Sequence, residues 1–169
     1  MIQAILYQTN TGSTEQYAKL LGEAAGLPVC PLAKAKQTVP DDAEILYLGW
    51  VMANTVQGYA KAAKRYRIRC VCAVGMAKTG TQTAEVRRQT QIPAETPLFT
   101  LRGNFDLQKL RGFRRLMMNL MVKASVKQLA QKKNRTPEED DLLDMMQNGA
   151  DRVRASELTA VLNWLKEQA

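Results

Sequence analysis

Six residues, Thr9-Asn10-Thr11-Gly12-Ser13-Thr14, stand between an apolar run, Ala4-Ile5-Leu6-Tyr7, and a segment with helical spacing. Four hydroxyls and one amide crowd a single glycine, and no Lys or Arg lies among them. At the start of a helix, free backbone N–H groups and the helix dipole favour an anion. Glycine lets the backbone turn sharply and come close to a ligand. Dense neutral donors without a countercharge suit a phosphate held by amides and hydroxyls. The plainer alternative is a helix cap, for which one hydroxyl is enough. The stretch is neither a Gly-Lys-Ser/Thr P-loop nor a Gly-x-Gly-x-x-Gly dinucleotide loop.

The rest of the chemistry is bounded by what the composition lacks. The chain has no histidine, which excludes Ser-His-Asp triads, Cys-His pairs and His-ligated metals. Cys30, Cys70 and Cys72 do not have metal-ligand spacing. Cys70 and Cys72 sit in an apolar run, Arg69 to Gly75, and read as reduced core residues rather than a redox pair. No side chain is assigned as a catalytic nucleophile or acid–base, and no metal is expected. An enzyme of this composition leaves its chemistry to a cofactor.

Those loop residues need a scaffold, and the pattern supplies one. Strands are expected at 2–7, 29–33, 44–50, 69–75 and 97–101. Helices are expected at 14–25, near 58–66 and near 83–91. Gly26 ends the first helix, Pro40-Asp41-Asp42 makes a turn, and the polar loop Lys78 to Thr81 follows the fourth strand. Strands alternating with helices imply βαβ units, hence an α/β fold with a doubly wound parallel sheet and helices on both faces. Ligands in such sheets bind beyond the carboxyl ends of the strands, and residues 9–14 fall there. From Gly103 to Gly149 the pattern is helix and loop only. Thr136-Pro137-Glu138-Glu139 has the form of a capping box with Pro at the first helical position, and Asn148-Gly149 ends that helix. A last helix, 156–168, carries Leu158, Val161, Leu162 and Leu165 on one stripe. The 169 residues are expected to form one domain with a helical insertion at about 104–149.

The formal charge of +8 is concentrated. Nine of the 24 basic residues and none of the 16 acidic ones lie between Leu107 and Pro137, so the rest of the chain carries 15 against 16. Within this window Leu110, Phe113, Leu116, Met117, Leu120, Met121 and Ala124 share one helical face, expected to dock. Met118 and Val122 fall on the other side, near Arg111 and Arg115, and are expected to stay beside the cations. Arg111, Arg114 and Arg115 are the candidate contacts for an anionic substrate, an acidic partner or an anionic membrane surface. A merely solvated basic face is the alternative. No recognition motif for nucleic acid is visible, so no specific nucleic-acid partner is expected. There is neither a signal-peptide pattern nor a long apolar run, so a cytoplasmic location is expected, peripheral on the inner membrane face if the basic helix meets lipid.

The pattern Thr9-x-Thr11-Gly12-x-Thr14 after the first strand resembles the FMN phosphate loop of flavodoxins, and the likeness extends to the order of elements along the chain. That resemblance implies a five-stranded sheet of order 2-1-3-4-5 and FMN as cofactor. It also implies that the loops after the third and fourth strands flank the isoalloxazine ring. Those are Trp50, Val51, Met52, Ala53 and Asn54, and Gly75, Met76 and Ala77. Trp50 or Met52 would pack on a ring face, although Trp50 is equally a core anchor at a strand end. Flavodoxins often have a glycine near the flavin N5, where this chain has Asn54-Thr55.

The stretch Leu101 to Ser125, LRGNFDLQKLRGFRRLMMNLMVKAS, is similar to the insertion after strand five in the flavodoxin-like protoporphyrinogen oxidases. The points of likeness are Gly103, the cluster Phe113-Arg114-Arg115 and the run Leu116 to Lys123. This implies an FMN-dependent oxidoreductase that takes electrons from protoporphyrinogen and passes them to a membrane quinone. Two other functions share the fold: a flavodoxin carrying electrons between proteins, and a non-catalytic binding module. Against the carrier stands the basic charge, because electron-carrier flavodoxins are typically acidic.

Overall fold

The computed structural model describes residues 1–104 and 112–168, with the side chains of Phe113 and Arg114 outside the description. The chain divides into two compact units, Met1–Gly103 with Val153–Ala169, and Asn104–Arg152.

The first unit is an α/β layer structure. Its strands are β1 (Ala4–Gln8), β2 (Val29–Pro31), β3 (Glu44–Met52), β4 (Thr55–Val56), β5 (Arg67–Gly75) and β6 (Leu98–Arg102). Its helices are α1 (Ser13–Ala25), α2 (Tyr59–Ala63), α3 (Thr83–Thr90) and, after the second unit, α6 (Thr159–Glu167). The sheet runs β2-β1-β3-β5-β6, all parallel, and β4 pairs antiparallel with β3 alone. It therefore has six strands where five were expected. The addition is two residues long, too short for the alternation of apolar and polar residues to reveal.

Each face of the sheet has its own core. Alternation along β3 sends Ile45 and Tyr47 to one side with Tyr59, Ala62 and Val86 of α2 and α3. It sends Leu46 and Leu48 to the other with Tyr17 and Leu21 of α1 and Leu158 and Val161 near α6. Cys70 and Cys72 are free and buried on this second side. Gly22 of α1 lies so close to Val29 that a Cβ there would clash with its side chain, so α1 is seated tightly over the β1–β2 edge.

Tyr17 ties α1 to the sheet. It is fully buried, and its hydroxyl donates to the Arg102 carbonyl at 2.6 Å. Burial, then the Glu157 carboxylate, pushes the hydroxyl pKa up to about 12. Burial raises that of Tyr47 as well. Above pH ~10 an unfolded chain gives up these protons while the folded chain keeps them. The contribution of these two hydroxyls to stability should thus be constant below pH ~10 and fall as the pH rises toward ~12. Urea midpoints measured across this range should show the decline. Tyr17→Phe should flatten part of it, at a cost of about 1 kcal/mol at neutral pH for the lost hydrogen bond.

Among the described residues the second unit is a pair of helices, α4 (Gly112–Gln131) and α5 (Pro137–Asn148). The Thr136 hydroxyl accepts from Glu139 N and the Glu139 carboxylate accepts from Thr136 N, the capping box expected for α5. Gly149 closes the helix with φ +74. The core of the unit is Val122 and Met145, with Met118, Val126, Leu142 and Met146 around them. For the described residues this reverses the expected docking of α4; Leu110 and the side chain of Phe113, expected on the same face, lie outside them. Met118 and Val122 face α5, whereas Leu116, Met117, Leu120 and Met121 are exposed. Both faces of α4 are apolar, so its own periodicity does not decide which is covered. The apolar stripe of α5 does. At the ends of the unit, Asn104 Oδ1 accepts from Arg152 N at 2.5 Å, and the Arg152 guanidinium makes two bonds to Asp141.

Candidate functional site

Parallel pairing aligns the carboxyl ends of the central strands. Gln8 at the end of β1 pairs with Gly49 of β3, and Trp50 pairs with Val74 of β5. The chain runs from β1 to β2 on one side and from β3 onward on the other. The crevice between β1 and β3 is thus the switch point of the sheet. The segments after β1, β3 and β5 meet at this edge.

Residues 9–14 form a tight turn into α1. Gly12 has φ +100, a left-handed conformation that favours glycine, and a Cβ there would meet nothing within 4 Å. Its N–H donates to Thr9 Oγ1 at 3.0 Å. Gly12 also occupies the capping position of α1, so no side chain caps the helix there. The first intrahelical bond is Gln16 N to the Gly12 carbonyl. Ser13 and Thr14 are buried, Thr14 to 1 % exposure. The Thr14 hydroxyl makes no hydrogen bond among the described residues, and neither does the hydroxyl of Thr11 or the amide of Asn10. The first-turn carboxylate is already engaged: Glu15 bonds Lys19 at 2.7 Å, which holds its pKa below the usual carboxylate range. Burial and the nearby Glu15 together raise the pKa of Tyr7.

The other polar loop at this edge differs in kind. The Thr81 hydroxyl donates to the Lys78 carbonyl at 2.6 Å, and that of Thr100 donates to the Thr81 carbonyl at 2.8 Å. Thr79 Oγ1 accepts from Arg102 N at 2.9 Å and donates to Glu157. The hydroxyls of Thr79 and Thr81 are spent on closing the loop and tying it to β6, while those of Thr11 and Thr14 make no hydrogen bond among the described residues. That contrast distinguishes a structural loop from one with donors to offer.

The segment after β3 is a correction to the sequence reading. The expected strand ended at Trp50 with Val51 and Met52 in the loop beyond it, but both are still in β3, which ends at Met52. Ala53 and Asn54 form the two-residue turn of a β3–β4 hairpin, with φ +48 and +58. Asn tolerates this region and Ala does so at a cost. The hairpin is pinned by Val56 N to Thr90 Oγ1 at 2.9 Å and by the Tyr47 hydroxyl to the Gln57 carbonyl at 2.7 Å. Tertiary contacts thus hold a turn that lacks the Asn-Gly signature of such hairpins. Trp50 is half-buried and Met52 exposed, both on the α1 side of β3 by alternation. Gly75 ends β5, and its carbonyl accepts from Gly103 N at 2.7 Å. Met76 follows, exposed, with Ala77 half-buried.

Behind the hairpin, Gly58 has φ +83, and a Cβ on it would overlap the Tyr47 hydroxyl and the Gln8 side chain. Both the backbone conformation and the close approach therefore require glycine at this position. The adjacent residues do not reveal this contact with the end of β1. A cavity of about 430 Å³ lies elsewhere, lined in part by Lys36, Asp41, Lys61, Arg65 and Tyr66, and includes none of the residues at this edge.

Of the three arginines singled out on the basic stretch, Arg111 and the side chain of Arg114 lie outside the described residues. Arg115 is exposed on α4. Among the described residues no cluster of metal-ligating side chains is present. No family model, curated protein or solved structure matches the chain.

Proposed function

We propose that the chain is a flavodoxin-like oxidoreductase that binds FMN at the switch point of its sheet. The observation that carries this reading is the loop 9–14. It is a helix start without a side-chain cap, with a left-handed glycine and an almost wholly buried Thr14 whose hydroxyl has no partner among the described residues. The residues fit the group: amides of the first turn and the hydroxyls of Thr9, Thr11 and Thr14 would hold the phosphate. Trp50, Met52 and Met76 offer apolar and aromatic surface to the ring at the same edge. Bound FMN supplies the electron-transfer chemistry.

The chain's own part is to bind, orient and shield. The hairpin turn at Ala53-Asn54, closed by the pairing of Met52 with Thr55, and the segment that leaves the paired strand end at Gly75 would give two walls. The strand order favours the same reading, because the five parallel strands carry the sequence-order permutation expected of a flavodoxin-like sheet once the short β4 is set aside. For the redox partners, the likeness of Leu101 to Ser125 to the protoporphyrinogen oxidases supports a porphyrinogen donor and a quinone acceptor.

Fluorescence-quenching titration tests the reading. FMN should bind at least about tenfold more tightly than riboflavin, because only FMN has the phosphate that charge-assisted hydrogen bonds can hold. Equal affinity for the two, or none for either, defeats the proposal.

A further inference from the structure

We propose that the exposed face of α4, formed by Leu116, Met117, Leu120 and Met121 and bordered by Lys123 and Lys127, docks on the surface of an anionic phospholipid bilayer. The proposal concerns the second unit alone and does not rest on flavin binding.

Four large apolar side chains in two adjacent turns are 57 %, 48 %, 61 % and 58 % exposed, respectively. Their spacing of one, three and four residues makes them a continuous patch. The unit's own core does not need them, since α4 and α5 pack through Met118, Val122, Val126, Leu142 and Met145. Contiguous exposed apolar surface of this kind marks an interaction site.

The charges say which kind. Cations of the helix connection and the unit's end are neutralised internally: Lys132 pairs with Glu139, Arg135 with Asp140 and Arg152 with Asp141. Lys123 and Lys127 on α4 have no acidic partner among the described residues. Helical spacing puts them along the border of the patch, Lys123 three residues and Lys127 seven residues after Leu120. Their long stems can cover apolar surface while the ammonium groups reach phosphate headgroups.

The same charges disfavour a second copy as the occupant. An isologous contact would bring α4 against α4, each with four cations and no acidic residue. No helix among the described residues is long and apolar enough to cross a membrane. The geometry is that of a helix lying along the interface, apolar side down and cations at headgroup level.

Vesicle flotation of the full chain tests this, with phosphatidylglycerol-containing vesicles against pure phosphatidylcholine. The chain should float with the first and not the second. Leu116→Gln with Leu120→Gln should weaken binding by more than about tenfold. Lys123→Glu with Lys127→Glu should weaken it by at least about fivefold for each charge. All four side chains are exposed, so circular dichroism and melting should be unchanged. A Leu120→Trp variant should show a blue-shifted emission with the anionic vesicles. Absence of flotation overturns the proposal. So does flotation that survives the double glutamine change, which would be charge attraction elsewhere on the chain. Concentration-dependent dimerisation abolished by the glutamine changes, without lipid binding, would make a second copy the occupant and also overturn it.

Discussion

Thr14→Val should weaken FMN binding by about ten- to a hundredfold and leave riboflavin binding where it was. Valine keeps the shape and β-branching of threonine, so the start of α1 should be preserved. The position is almost wholly buried, yet the hydroxyl has no partner among the described residues, and removing it orphans no other group there. A hydrogen bond to a charged oxygen contributes about 1.5–3 kcal/mol, which sets the range. Titration of wild type and variant with both flavins reads the result directly. If the preference for FMN survives in the variant, Thr14 does not hold the phosphate. Substitution at Gly12 is a weaker probe, because φ +100 strains any other residue and mixes a backbone cost with a binding one.

The second large effect is on stability. Gly49→Ala should destabilise the first unit by about 2–3 kcal/mol. This glycine is in the middle of β3, paired on both sides with Gln8 and Ala73. A Cβ there would be 2.5 Å from Val56 Cγ1, 2.7 Å from the Gln57 carbonyl oxygen and 3.1 Å from Tyr47 Cε1. A flexible side chain can move aside, but a backbone carbonyl held by the Tyr47 hydroxyl cannot do so cheaply. The β4 hairpin must lift. Thermal denaturation should show the midpoint lower by roughly 5–10 °C. Gly26→Ala is the control: its φ of +65 carries a backbone cost, but its Cβ would meet nothing within 4 Å. Equal losses at the two positions would mean that crowding at Gly49 is unimportant.

The parts legible in the sequence are those whose local pattern and tertiary role agree. Ile5-Leu6-Tyr7 and Cys70-Val71-Cys72 are apolar because both faces of those strands are covered, and they read as strands without help. The turn at Gly12, the end of α1 at Gly26 and the capping box at Thr136 are local chemistry, and local chemistry is written in adjacent residues. The β3–β4 hairpin was not legible. Ala53-Asn54 adopts its turn because Thr90, Tyr47 and Gln57 hold the flanks, contacts that span up to 34 residues. The orientation of α4 was hidden for another reason. Its sequence offers two apolar faces, and the choice lies with Leu142, Met145 and Met146 on another helix. For the candidate site, the type of residue in 9–14 was visible, but which hydroxyls are spent and which remain was not.

Asn104 and Arg152 meet through a hydrogen bond, so the 49-residue excursion between β6 and the last helix starts and finishes at one spot. A detour that closes on itself leaves the register of the sheet indifferent to its length and content. Drift in the cationic hairpin, including its loss, exchange or elongation, would be felt by whatever that hairpin touches and scarcely by the βαβ scaffold. Descendants of such a chain can change their address or their clientele while inheriting the same crevice.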